Sequence, residues 1–254
     1  MKLFEEIFKR SPKLGWFGAF NFLAFFIMLI ISFFDDRMLL GINVWVKPMK
    51  FAISVGVFTW TMAWFLYELP QKPKVKKIEW TIIMMLLIEM VIIVGQAARG
   101  ELSHFNISSM FNGILFQIMG IAILINTIMV FWAFLLFRKV DSLPRGYKIG
   151  IQFGMLIFIV ASLEGYLMAA NLSHTVGAPD GQEGIFFLNW AKSYGDLRIF
   201  HFLGLHALQV LPLFAWYFSK ETSKPVIVFG VIYFMLSLGT FWNALAGRGL
   251  MLFS

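Results

Sequence analysis

Four histidines and two glutamates are the side chains of this sequence best suited to chemistry. The histidines fall at or just inside the ends of apolar segments, and the glutamates fall inside such segments; they are His104, His174, His201, His206, Glu89 and Glu164. A carboxylate buried in hydrocarbon is costly unless it has a partner, so the two glutamates are expected to pair, bind a metal ion or carry a proton. The absence of cysteine excludes thiolate ligands and disulfides. Imidazole and carboxylate ligands alone suit zinc, iron or copper.

The spacing of the last two histidines separates them on their helix. His201 and His206 are five residues apart, or about 140° of helical rotation, so the two need not share one metal ion. His206 is expected to share a face with Gln209, and His201 with Arg198. A haem variant of this idea needs histidines from two helices at similar depth, which leaves His201 and His174 as its one candidate pair.

Polar side chains also recur at heptad spacing inside two apolar segments. Gln96 follows Glu89 by seven residues and Asn171 follows Glu164 by seven, so each pair returns to nearly the same helix face. Arg99 continues the first of these polar stripes. We therefore expect Glu89 and Glu164 to have catalytic roles, and we expect a polar group of substrate-binding residues: Arg99, Arg198, Gln96, Gln209 and Asn171.

Two connecting segments also contain short motifs. Glu101 and His104 form one Glu-x-x-His motif, the spacing used in di-iron bundles. A complete di-iron set needs two copies, so a solvated turn is the simpler interpretation. The segment after the fifth apolar run contains Pro179-Asp180-Gly181, a turn signature. Such a turn could fold this segment over the mouth of the bundle as a lid, and a plain connector explains it equally well.

The composition indicates which structural elements position these residues. The chain has 254 residues, of which 59% are hydrophobic and 14% charged, too apolar for a soluble domain. Seven continuous apolar runs are each long enough to cross a bilayer as a helix. The sequence therefore predicts an all-α, polytopic membrane protein with a seven-transmembrane-helix bundle in a single domain, 1–254. The predicted helices lie near 15–34, 45–68, 78–98, 109–137, 149–171, 197–218 and 225–245.

The basic residues predict the orientation of this bundle. If the seven segments alternate in direction, fourteen of the 21 Lys and Arg residues fall on one side: Lys2, Lys9, Arg10, Lys13, Lys72, Lys74, Lys76, Lys77, Arg138, Lys139, Arg145, Lys148, Lys220 and Lys224. The positive-inside rule places that side in the cytoplasm, so the N-terminus is cytoplasmic and the C-terminus outside. The net charge of +7 then reflects topology and contact with the lipid bilayer, so a nucleic-acid partner is not expected.

Several other functions are excluded by missing residues. A retinal Schiff base needs a lysine deep in a helix, and the last apolar run, 225–245, contains none. No G-x-S-x-G nucleophile elbow and no Walker or dinucleotide-binding glycine pattern occurs. Retinal, serine-hydrolase and nucleotide chemistry are therefore not expected.

Two segments carry a resemblance. They are Gln96-Ala97-Ala98-Arg99-Gly100 followed by Ser103-His104-Phe105-Asn106, and the run from Asp196 through His201 and His206 to Gln209. In these the chain resembles a group of small bacterial seven-helix integral membrane proteins with no assigned activity. The resemblance covers most of the chain and carries no functional residues over.

These observations lead to one principal hypothesis and two alternatives. The first is a bacterial inner-membrane protein whose outward-facing His/Glu cavity binds a transition metal. It would act as a hydrolytic or redox enzyme on a lipid-like or small substrate. An anionic lipid or a small-molecule ligand is its expected partner besides the bilayer. The second is a proton-coupled transporter or channel that uses Glu89, Glu164 and His206 as a relay. The third is a non-catalytic sensor or complex subunit in which the polar residues pair internally. The sequence does not indicate an oligomeric state.

Overall fold

The computed structural model describes residues 2–249, and this part of the chain is almost entirely helical. Its eight helices are α1 (Lys2–Arg10), α2 (Pro12–Ser32), α3 (Val46–Leu66), α4 (Lys72–Arg99), α5 (Met110–Phe137), α6 (Arg145–Asn171), α7 (Arg198–Phe218) and α8 (Ser223–Leu245). Two short antiparallel pairs join β1 (Met38–Leu39) to β2 (Ile42–Asn43) and β3 (Thr175–Val176) to β4 (Gly195–Asp196).

The helices α2 to α8 are long and apolar enough to span a membrane. The seven predicted segments are thereby confirmed, and the protein has the fold of an integral membrane protein in contact with a lipid bilayer. The predicted and observed boundaries differ most at the starts of two helices. The helix α4 begins at Lys72 rather than 78, and α6 at Arg145 rather than 149. Both helices continue beyond their apolar runs into basic turns, which hydropathy alone does not detect.

The helix α1 is the one helix that the sequence did not predict. It has nine residues, too few to cross a bilayer. The helix is amphipathic: Ile7 is buried, whereas Glu5 and Lys9 are exposed. Arg10 pairs with Glu6 one turn away at 2.9 Å. Ser11 then caps α2, its hydroxyl accepting the amide N–H of Leu14 at 3.4 Å.

The chain has two compact units, Met1–Leu136 and Phe137–Ser254. In the first unit α2 packs closely on α3. A side chain at Gly18 would meet Trp60, and one at Gly56 would meet Phe22. The indole nitrogen of Trp60 donates to the Gly15 carbonyl at 3.0 Å. The predicted single domain stays a prediction.

A polar cluster of Asp35, Arg37 and Trp45 stabilises the connection between α2 and α3. Both the Arg37 guanidinium and the Trp45 indole donate hydrogen bonds to the carboxylate of Asp35, at 2.7–2.9 Å. These hydrogen bonds, that of Arg37 first, hold the pKa of Asp35 well below its usual range. The connection is therefore organised by its own charged residues.

In the second unit α6 and α7 are in close contact along a row of glycines on α6. A side chain at Gly154 would lie 2.7 Å from the Ala207 carbonyl oxygen, and one at Gly150 would lie 2.9 Å from that of Leu211. Gly146, one turn earlier, approaches the backbone at Ser219 in the same way. Small residues at every fourth position let two membrane helices approach each other closely. This contact aligns the far ends of α6 and α7, where Glu164 and His201 lie.

Several prolines lie at helix starts, and one lies inside a helix. Pro48 and Pro225 lie in the first turns of α3 and α8, and Pro144 directly precedes α6. Pro212 lies within α7, which continues past it to Phe218.

Candidate functional site

The first unit contains a contact between a buried glutamate and a histidine. Glu89 lies on α4, and its Oε1 atom is 3.6 Å from Nε2 of His104; the two side chains are 2% and 20% exposed. Gly100 ends α4 in the left-handed conformation, with φ of 72°, where glycine is favoured. The chain turns back there, which brings His104 to Glu89.

The surroundings of this first pair hold the imidazole in place. The Ser103 hydroxyl lies 3.0 Å from Nδ1 of His104, and the rings of Phe51 and Phe105 pack around the imidazole. Lys47, at the start of α3, is near enough for its charge to act on Glu89. The second carboxylate oxygen of Glu89 is buried and has no hydrogen-bond partner among the described residues.

The second unit contains a second pair of the same kind. Oε2 of Glu164 on α6 lies 3.2 Å from Nδ1 of His201 on α7, and the side chains are 4% and 28% exposed. Gly165 leaves room for this imidazole, because a side chain there would lie 3.2 Å from its Cε1 atom. As in the first pair, the other oxygen of Glu164 is buried without a hydrogen-bond partner in the described part of the chain.

His206 has its sequence neighbour Gln209, rather than Glu164, as its hydrogen-bond partner. Its Nδ1 atom is 3.2 Å from Oε1 of Gln209, as their shared helix face predicts, and its ring packs on Phe202 at 4.3 Å between centroids. The relay hypothesis groups His206 with Glu164 and Glu89. The structure instead pairs Glu164 with His201, and it places Glu89 in the other unit with His104.

His174 belongs to the connection between α6 and α7, where Asp180 is its partner. Nδ1 of His174 lies 2.6 Å from Oδ2 of Asp180, and the same carboxylate accepts the amides of His174 and Thr175 at 3.0 Å. Burial raises the pKa of Asp180, but the hydrogen bonds and charge of His174 outweigh it and hold this pKa well below its usual range. The aspartate of the Pro-Asp-Gly turn thus binds residues of the same connecting segment. His174 contacts Asp180 and His201 contacts Glu164, and the haem variant stays a prediction.

The predicted substrate-binding residues mostly bind other parts of the chain. Gln96 donates to Asn112 at 3.0 Å and to the Leu102 carbonyl at 3.1 Å, and Arg99 donates to Asn112 at 3.2 Å. Arg198 pairs with buried Asp196, its Nε 2.8 Å from the carboxylate. Gln209 contacts His206, and Asn171 is exposed at the end of α6.

Two asparagines that were not predicted as functional residues complete the network around Gln96. Asn106 and Asn112 are both buried, and Asn106 donates to Glu101 at 3.0 Å. Glu101 is therefore engaged with Asn106, and His104 with Glu89. The two residues of the Glu-x-x-His motif therefore contact different partners. In the sequence, these asparagines could have been recognised as polar residues close to the end of an apolar run.

The ligand groups of the described residues do not converge on a metal. Within residues 2–249, no group of three or more His, Asp or Glu side chains is arranged to hold a metal ion. Each Glu–His pair supplies two ligand groups, and structural and catalytic zinc sites use three or four. The predicted transition metal, whether zinc, iron or copper, stays a prediction.

Comparisons with known proteins do not extend these observations. No protein-family model, no curated protein and no solved structure matches this chain.

Proposed function

We propose that this protein is a proton-coupled transporter or channel in which each unit binds a proton at a buried Glu–His pair. The observation that carries the proposal is the repeated contact of a buried glutamate with a partly exposed histidine, Glu89 with His104 and Glu164 with His201. Imidazole exchanges protons in the physiological pH range. A histidine that contacts both water and a buried carboxylate can pass a proton between them.

The depth of the glutamates supports this role. At a rise of about 1.5 Å per residue, Glu89 lies roughly 15 Å from the end of α4, and Glu164 roughly 10 Å from the end of α6. Ionisable side chains at such depth are rare in membrane helices and typically mark proton or ion paths. The unpaired oxygen on each glutamate leaves a position where a proton would reside.

In the proposed arrangement the protein has one orientation in the bacterial inner membrane. Fourteen of the 21 basic residues fall on the side of the N-terminus if all seven spans cross. The positive-inside rule then makes that side cytoplasmic and puts the C-terminus outside. Alternation of the spans directs the ends of α4 and α6 that carry the two pairs toward the outer face. Protons would therefore enter from outside.

Proton flux in proteoliposomes tests the proposal. Purified protein is reconstituted with a trapped pH-sensitive dye, and a potassium diffusion potential drives protons inward. We expect the Glu89→Gln and Glu164→Gln variants each to lower the flux about tenfold or more, since proton transfer by a positioned group contributes at least that much. Two matched variants, His206→Gln and Glu183→Gln, should retain the flux of the unmodified protein because neither residue belongs to a pair.

Metal analysis of the same preparations separates this proposal from a metal-dependent enzyme. Stoichiometric metal that is lost in both His201→Ala and His206→Ala would support the enzyme and contradict the relay. A metal-free protein whose flux depends on Glu89 and Glu164 would support the relay. Flux that is unchanged in both glutamine variants would refute it.

A further inference from the structure

A basic cleft lies in the first unit, at the ends of the helices opposite to the Glu89–His104 pair. Its volume is about 350 Å³, and its walls come from the junction of α1 and α2 and from the start of α4. Four basic side chains and one acidic side chain line it: Arg10, Lys13, Lys72, Lys76 and Glu79. We refer to this cavity as the basic cleft.

The one acidic side chain of the basic cleft is already engaged. Ser11 donates to Oε1 of Glu79 at 2.5 Å, and Lys13 lies 3.9 Å from its Oε2 atom. Arg10 is likewise compensated, because its guanidinium pairs with Glu6 at 2.9 Å and Glu68 at 2.6 Å. The charges of Lys72 and Lys76 are not balanced by a carboxylate of the cleft wall.

Both of these lysines are exposed at the cleft. Lys72 donates to the carbonyl oxygen of Tyr67 at 2.8 Å and lies over its ring at 5.0 Å, which fixes the direction of the ammonium group. Lys76 follows one helical turn later, so the two ammonium groups lie on one face of α4. Two adjacent ammonium groups attract an anion with several oxygen atoms.

The position of the cleft indicates which anion that would be. It lies where α2 and α4 begin. The first half of each of these helices has an exposed tryptophan, Trp16 on α2 and Trp80 on α4, and tryptophan is enriched in the headgroup region. Lys13 lies 5.0 Å over the ring of Trp80. Phosphate is the anion that lipid headgroups present at this level, and basic residues near the membrane surface attract anionic lipids.

We infer that the basic cleft binds a phosphate group, carried by the headgroup of an anionic lipid, through Lys72 and Lys76. This inference does not depend on the proposed proton path. The residues concerned are separate from both Glu–His pairs. Bound lipid would hold α1 and the start of α4 against the membrane surface.

Lipid binding to the full-length protein tests the inference. Native mass spectrometry in a neutral detergent would compare phosphatidylglycerol with phosphatidylcholine. We expect preferential binding of phosphatidylglycerol, weakened about fivefold by Lys72→Gln or Lys76→Gln and about 25-fold by the double variant. The control is the double variant Lys220→Gln and Lys224→Gln, which removes the same charge from the connection between α7 and α8 and from the first turn of α8.

A second arm identifies the source of the phosphate. Calorimetric titration of the detergent-solubilised protein with inorganic phosphate measures the free anion alone. Lipid binding that depends on Lys72 and Lys76, without measurable binding of inorganic phosphate, supports a lipid headgroup. Inorganic phosphate that binds with the same dependence, while phosphatidylglycerol does not, assigns the cleft to soluble phosphate and overturns the lipid source. Equal losses in the test and control double variants, or no loss in either, would overturn the site itself. Thermal unfolding of each variant verifies that it folds.

Discussion

Nδ1 of His201 lies 3.2 Å from Oε2 of Glu164, and this contact joins α7 to α6 where neither side chain is fully exposed. The Glu164 carboxylate is almost wholly removed from solvent, so the imidazole of His201 replaces part of the hydration that burial removes. We expect His201→Ala to lower the free energy of unfolding by about 1–3 kcal/mol, because it leaves a buried acceptor without its partner. Chemical unfolding in detergent measures this change.

A double-mutant cycle shows whether the loss belongs to the pair. Glu164→Gln combined with His201→Ala should be less destabilising than the sum of the two single variants, since the second change removes the group that the first left unpaired. Strictly additive losses would mean that the two side chains do not interact.

The row of glycines on α6 leads to a second prediction. Gly154→Ala would place a methyl group 2.7 Å from the backbone oxygen of Ala207, so α6 and α7 would have to separate. We expect a loss of about 1–3 kcal/mol, typical of overpacking. Gly239→Ala on α8 is the matched control, since nothing lies within 4 Å of its added Cβ atom. A control variant as unstable as Gly154→Ala would show that the close approach is not the cause.

The pair of Asp180 and His174 gives the connection between α6 and α7 a defined pH dependence. The pKa of Asp180 lies well below its usual range, so its contribution to stability is present above the ordinary value of about 3.9. That contribution is lost as the pH falls from there toward the lowered pKa. Hydrogen exchange of residues 172–197, corrected for the intrinsic effect of pH, should therefore accelerate below about pH 4.

The Asp180→Asn variant is the control for this pH effect. It lacks the charge at every pH, so its connection should already exchange faster at pH 7 and should show no further acceleration on acidification. A variant that behaves like the unmodified protein would mean that the carboxylate does not organise the segment.

The proposed orientation can be tested by cysteine labelling, because the sequence contains no cysteine of its own. We expect a membrane-impermeant maleimide to label Glu183→Cys in intact cells, since this residue is exposed in the connection between α6 and α7. Lys74→Cys, near the start of α4, should be labelled only after the membrane is permeabilised. The opposite pattern would reverse the topology and place both Glu–His pairs toward the cytoplasm.

The seven spans were predictable because an apolar run of about twenty residues has few alternatives to a membrane helix. The helix α1 was not, since a nine-residue helix takes its stability from packing that periodicity does not reveal. The glycine row at 146, 150 and 154 is visible in the sequence. Read as a packing motif, it would have indicated that α6 carries a close helix contact.

The partners of the two glutamates could not be predicted from spacing. Whether Glu164 meets His201 or His206 depends on the rotation of α7 against α6, which the close glycine contact sets. For Glu89, the partner lies beyond the end of its helix, and the left-handed turn at Gly100 brings His104 back. Packing thus places His201 beside Glu164 and His104 beside Glu89.

Infrared difference spectroscopy tests most directly whether the buried glutamates bind and release protons. Acidification of the purified protein should increase the carbonyl band of protonated carboxylic acids, with part of that increase coming from buried groups shielded from water. We predict that Glu89→Gln and Glu164→Gln each remove a part of this band and that the double variant removes both parts. A double variant whose pH-dependent band equals that of the unmodified protein would contradict the account and leave the two pairs as structural contacts between helices.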